Sequence, residues 1–78
     1  MRVAVRLHAS LSRYAPAPAG GWIEVEAPEG ADVAWVAKAA GVPEGVETVA
    51  VVSGEVVPPS RVVSEGERVS LFPPLGGG

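Results

Sequence analysis

Only one stretch of this chain repeats its apolar residues at helical spacing. Val33, Val36, Ala37 and Ala40 stand at i, i+3, i+4 and i+7, which is one face of an α-helix. Asp32, just before them, can accept hydrogen bonds from the unpaired amides of a first turn. Gly41 sits at the expected stop and Pro43 follows it. A single helix of about two and a half turns cannot cover both faces of a sheet. It must pack on one side of whatever the rest of the chain forms.

The rest reads as strands. Met1 to Leu7 alternates Val3, Val5 and Leu7 with Arg2, Ala4 and Arg6, a strand with one buried face. Trp22 to Glu26 alternates in the same way. Glu47 to Val52 is Val-rich and reads as a buried strand. Ser53-Gly54 is a turn signal, and Glu55 to Val57 a short return strand ended by Pro58-Pro59. Ser64-Glu65-Gly66-Glu67 is a further turn, and Arg68 to Phe72 the last strand. His8 to Tyr14 has no clear period and leaves room for a short helical turn. Ala15 to Gly21, with Pro16 and Pro18, is a loop. The predicted order is β-β-α-β-β-β, an α+β fold. It has a mixed four- or five-stranded sheet in which the first and last strands are parallel central neighbours.

With 78 residues the chain makes one domain, expected over 1–72, and a tail at 73–78. Apolar residues make up 47 % of it, enough to give so small a domain a core. There is no Cys, which excludes disulfides and a catalytic thiol, and suits a reducing cytoplasm. No apolar stretch approaches the roughly 18–20 residues that span a bilayer. No signal peptide is expected. The net charge of −3 argues against nucleic acid as a partner. Arg2, Arg6 and Arg13 come early, either as solvent-facing residues or as a basic docking patch. His8 is the only histidine, so no metal site is expected. The serines show no ordered triad with His8, and Gly20-Gly21 lacks the Lys-Ser/Thr of a phosphate loop.

Several segments carry a resemblance to a known family. They are Pro28-Glu29-Gly30-Ala31-Asp32-Val33 before the helix, Val51-Val52-Ser53-Gly54-Glu55 at a strand end, and Glu65-Gly66-Glu67-Arg68-Val69 before the last strand. The most specific is Leu71-Phe72-Pro73-Pro74-Leu75-Gly76-Gly77-Gly78. The element order and this ending resemble the β-grasp, ubiquitin-like sulfur carriers. The Phe-Pro-Pro ending is most similar to the small subunit of molybdopterin synthase. Departures are Ser53 where Asn is common, Glu67 where Asp is common, a first loop with two prolines, and a third terminal glycine.

The resemblance implies a carrier rather than an enzyme, with no bound cofactor. An E1-like enzyme would use ATP to adenylate the Gly78 carboxylate. Sulfur from a sulfurtransferase or sulfide source would displace AMP and leave a thiocarboxylate. A larger synthase subunit, or another acceptor, would receive the sulfur. Thiamine, cysteine or tRNA thiolation are alternative destinations. A protein modifier forming isopeptide bonds is a further alternative, and a β-grasp binding module with an inert tail is the last.

The residue types suit such a tail. Gly76, Gly77 and Gly78 lack Cβ and can thread a narrow partner channel. Pro73 and Pro74 restrict the chain where it leaves the sheet. Residues 73–78 can extend about 20 Å at roughly 3.3 Å per residue. Leu75, beyond the prolines, is expected to contact the partner. By alternation Phe72 points away from Val69 and Leu71, as a partner anchor or as a half-buried core residue. Trp35 falls off the apolar helix face, either capping the core edge or forming an exposed patch.

Overall fold

The structure, a computed structural model, describes residues 1–15 and 21–74. Its strands are β1 (Arg2–Leu7), β2 (Ile23–Glu26), β3 (Val49–Val52), β4 (Glu55–Val57) and β5 (Arg68–Phe72). They form one sheet in the order β2-β1-β5-β3-β4. β1 and β5 are parallel, as expected, and the other pairings are antiparallel. Among the described residues the one α-helix, α1, spans Val33–Ala39.

Register explains which face is which. Val5 lies opposite Val69 and Leu7 opposite Leu71 across β1 and β5. Ala50 and Val52 of β3 face Leu71 and Val69 from the other side. All of these are buried, and Val3, Val5, Val69 and Leu71 fully so. α1 lays Val33, Val36 and Ala37 over them, with its C-cap residue Ala40, so the predicted apolar face is the buried face. Each Val or Leu so buried contributes about 1.5–3 kcal/mol of transfer free energy. Asp32 caps α1 as read from the sequence, accepting from the Trp35 amide at 2.9 Å.

Three features depart from or complete the sequence reading. β3 begins at Val49, not Glu47. The reason lies in its neighbour: Val49 pairs with Phe72, and Pro73 beyond it has no N–H to continue the ladder. The second strand begins at Ile23, one residue after Trp22. His8 to Tyr14 resolves as a 3-10 turn over Ala9–Tyr14 that buries Leu11.

The stretch before the last turn does more than connect. The amides of Val33 and Ala34 donate to the carbonyls of Arg61 and Pro59, and Val63 donates to Ala31. Val63 is buried. These bonds hold the start of α1 against residues 59–63. Glu67 then ties this stretch to β5: its carboxylate accepts from both Arg61 guanidinium nitrogens, at 2.5 and 3.0 Å, and from the Ser64 amide.

Candidate functional site: the tail exit and the open sheet face

The tail leaves from the end of a central strand. β5 has β1 on one side and β3 on the other, so the position and direction of Phe72 are fixed by two neighbours. Leu71 faces the core and Phe72 the opposite face, where it is 36 % exposed. The alternation therefore gives the correct face, and Phe72 is a surface aromatic at the root of the tail. Pro73 and Pro74 are half-buried. They line a shallow cleft with Ser10, Arg13 and Tyr14 of the 3-10 turn, and with Val46 and Glu47 of the loop before β3. Leu75, Gly76, Gly77 and Gly78 lie outside the described residues.

Phe72 has a partner that sequence reading missed. The His8 amide donates to the Leu71 carbonyl at 2.9 Å, carrying the parallel pairing one residue past β1. That brings the His8 ring beside Phe72, with centroids 4.2 Å apart and planes 10° from parallel. Burial, and secondly the Arg6 charge, lower the His8 pKa from its usual 6.5. The ring is therefore neutral at pH 7, and its Nε2 is buried with no hydrogen-bond partner among the described residues. No local sequence signal marks this pair, because the two residues are 64 apart.

The same face carries a second aromatic. Trp22 is exposed, with the Arg6 and Arg68 guanidinium carbons 5.8 and 5.4 Å from its ring centroid. Both lie within cation–π range. The early arginines thus have separate roles. Arg6 packs on Trp22, Arg2 pairs with Glu26 at 3.3 Å, and Arg13 donates to the Ser10 carbonyl. Toward the other edge, Val49 stands opposite Phe72, and Val51 opposite Val56, which is 73 % exposed. Trp35 is exposed on the outer side of α1, not on this face.

At the tail root the neutral His8 ring is stacked on Phe72, and Arg13, Tyr14 and Glu47 line the cleft. Among the described residues no three His, Asp or Glu side chains gather to hold a metal. Among them, too, no helix is long and apolar enough to cross a membrane. The arrangement offers an anchored strand end, a stiff exit and an aromatic, Arg-bearing surface beside it.

Comparison with known proteins gives a family and a fold. The model of the ThiS family matches residues 13–78. Among solved structures, the small archaeal modifier protein 1 of Haloferax volcanii superposes with a TM-score of 0.72 at 18 % identity, covering 95 % of this chain and 98 % of that one. A second crystal structure, of SAMP1 from Haloferax volcanii, gives a TM-score of 0.69 at 19 % identity over 100 % of both chains. The shared architecture is the β-grasp, with a mixed five-stranded sheet and one main helix. No curated protein matches this chain.

Proposed function

This chain belongs to the ThiS family, and from that premise we propose that it is a sulfur carrier whose Gly78 carboxylate is the group that reacts. The observation that carries the reading is the placement of the exit. The family match runs through residue 78, and the tail is launched from a strand held on both sides. Phe72 is exposed at its root and Pro73-Pro74 are braced in a cleft.

The chemistry follows from what a carboxylate lacks. It is a poor electrophile, so a partner must first activate it. Attack of the Gly78 carboxylate on the α-phosphorus of ATP releases pyrophosphate and leaves an acyl-adenylate. A sulfur nucleophile, from a sulfurtransferase or from sulfide, adds to the acyl carbon and expels AMP. With sulfide the product is a thiocarboxylate directly; with a sulfurtransferase persulfide it is an acyl disulfide, which a thiol reductant cleaves to the thiocarboxylate. ATP is thus the substrate of the activating partner and not a cofactor of this chain. The three terminal glycines let the carboxyl reach that partner's nucleotide site.

The open face is the docking surface for the E1-like partner. Phe72, stacked on His8, and Trp22, set against Arg6 and Arg68, supply aromatic and arginine anchors of the kind that dominate interfaces. The acceptor is the larger subunit of a molybdopterin synthase, favoured by the Phe72-Pro73-Pro74 ending. A cytoplasmic setting supplies the ATP and reduced sulfur that the sequence of steps requires. A second reading is a protein modifier, in which a lysine amine replaces the sulfur nucleophile. It is supported by the name of the structural neighbours, small archaeal modifier proteins.

Intact mass spectrometry tests both. The chain is incubated with ATP, sulfide and an E1-like enzyme of the sulfur-carrier pathways. The expected product has one oxygen of Gly78 replaced by sulfur, and deletion of Gly78 abolishes it. Absence of any mass change with every such enzyme would sink the carrier reading. Conjugates to other proteins that vanish on deleting Gly78 would favour the modifier.

A further inference from the structure

Two hollows of this molecule share a wall. The cleft that holds Pro73 and Pro74 and a groove on the helix side are both lined by Gly45, Val46 and Glu47. The groove continues along Val33, Ala34, Ala37, Val42 and Val57. Val46 and Val57 are only partly covered by the core, so apolar surface is left open there. The charged groups lining the groove are Glu47 and the Lys38–Glu44 pair, whose side chains meet at 2.6 Å.

The pairing of β5 with β3 fixes which tail residue comes to that wall. The strands are antiparallel, with Leu71 opposite Ala50 and Phe72 opposite Val49. One residue further out on each chain, Pro73 falls beside Thr48, then Pro74 beside Glu47 and Leu75 beside Val46. Prolines cannot continue the ladder, yet Pro73 and Pro74 do line one cleft with Val46 and Glu47. Val69 and Leu71 face the core side of β5, and the same alternation brings Leu75 off on that side. Residues 75–78 follow Pro74 and reach about 13 Å at roughly 3.3 Å per residue. That is enough to cross the shared wall.

We propose that the groove holds Leu75 of the chain's own tail, folded back over Val46, and that this docking competes with the activating partner for the tail. The inference rests on the reading that a partner takes up the tail to reach Gly78. Leu75 is the one side chain beyond Pro74 with apolar surface to bury, because the three glycines have none. Its removal from water favours docking, and the ordering of the tail opposes it. With two glutamates against one lysine, the lining offers the Gly78 carboxylate no net attraction. Leu75 is therefore the whole anchor, and a partner that offers it a better site releases the tail.

Nuclear magnetic resonance of the isotope-labelled 78-residue chain tests this without any partner. The Leu75 methyls should show Overhauser contacts to Val46, Val57 or Ala34 within one copy. Ala34 is exposed, so Ala34→Glu should block the groove and remove those contacts while the domain stays folded. Leu75→Gly should shift the same groove methyls, and it decides the matter if Ala34→Glu fails to fold. With an E1-like enzyme, Ala34→Glu should lower the KM of the chain about two- to tenfold, the reciprocal of a free-tail fraction of about one-half to one-tenth. Leu75 methyls with unfolded-chain shifts and no contacts would overturn the proposal. So would contacts to Phe72 or Trp22 instead, contacts found only between differently labelled copies, or a KM that Ala34→Glu leaves unchanged. Failure of activation by every such enzyme would instead count against the carrier reading and leave the resonance result to decide on the groove.

Discussion

Gly41→Ala is a small change that the structure marks as expensive. Gly41 follows the C-cap of α1 with φ +116°, a backbone conformation that side chains with a Cβ rarely adopt. A Cβ built there would meet the Tyr14 carbonyl oxygen at 2.6 Å. That oxygen belongs to the 3-10 turn lining the tail-exit cleft, and it is backbone, so it cannot swing aside. Gly66 supplies the control. It also has a positive φ, +80°, but nothing lies within 4 Å of the added Cβ. Both substitutions incur the left-handed strain of about 1–2 kcal/mol, and both recover about 0.4–1 kcal/mol by restricting the unfolded chain. Gly66→Ala should therefore cost about 0–1.5 kcal/mol. Gly41→Ala adds a clash of the overpacking kind, about 1–3 kcal/mol, for a total of about 1–4.5 kcal/mol. In a domain of this size each kcal/mol shifts Tm by about 4–8 °C, so Gly41→Ala should lower it by about 4–36 °C. Calorimetry or urea unfolding of the two variants beside the parent chain measures this. If Gly41→Ala proves no more costly than Gly66→Ala, the close approach of α1 to the 3-10 turn is refuted.

Other predictions concern the surface and its charges. Phe72→Ala should cost little stability, about 1 kcal/mol for a lost stack at a half-exposed site, yet raise the KM for the chain as substrate of its activating enzyme at least tenfold. Equal losses in folding and in KM would argue for a core role instead. The Glu67 pKa is lowered below the usual 4.5, chiefly by the Arg61 hydrogen bonds. A lowered carboxyl stabilises the fold above its unfolded value and loses that contribution as pH falls through the folded one. Urea unfolding between pH 7 and pH 3 should therefore show a decline below about pH 4.5 that Glu67→Gln largely removes. At neutral pH that variant should cost about 1 kcal/mol, the pair being partly screened by solvent. The His8 pKa is also lowered, so the unfolded chain protonates first as pH drops below the usual 6.5. Stability should begin to fall from there, and His8→Phe, which keeps a ring against Phe72, should flatten that part of the profile.

Much of this protein is decided by patterns that are local. The alternation of Val3, Val5 and Leu7, and of Val69 and Leu71, fixes two strands and the face each buries, because side chains in a strand point to opposite sides in turn. The spacing of Val33, Val36, Ala37 and Ala40 fixes the helix and its buried side, and Asp32 its start. The tail is legible as well. Pro73-Pro74 ends the last strand, since proline has no N–H for the ladder. The outward turn of Phe72 follows from the same alternation.

What the sequence could not reveal is which distant residues meet. The His8–Phe72 stack depends on β1 and β5 pairing in one register, and that register is set by the whole core. Trp22 reads as an ordinary strand residue until β1 and β5 bring Arg6 and Arg68 to its ring. Residues 59–63 read as a connection, yet their carbonyls and Val63 hold the start of α1, because those backbone groups found partners there. Glu47 reads as strand and is not, because the neighbour it needed ends at a proline. A periodic pattern records only which side of an element is buried. Tertiary structure alone decides what lies across from it, since a shift in register leaves every local pattern intact while changing every neighbour. The strand that leads to the tail was therefore written in the sequence, whereas the aromatic and arginine surface beside it was assembled by the sheet.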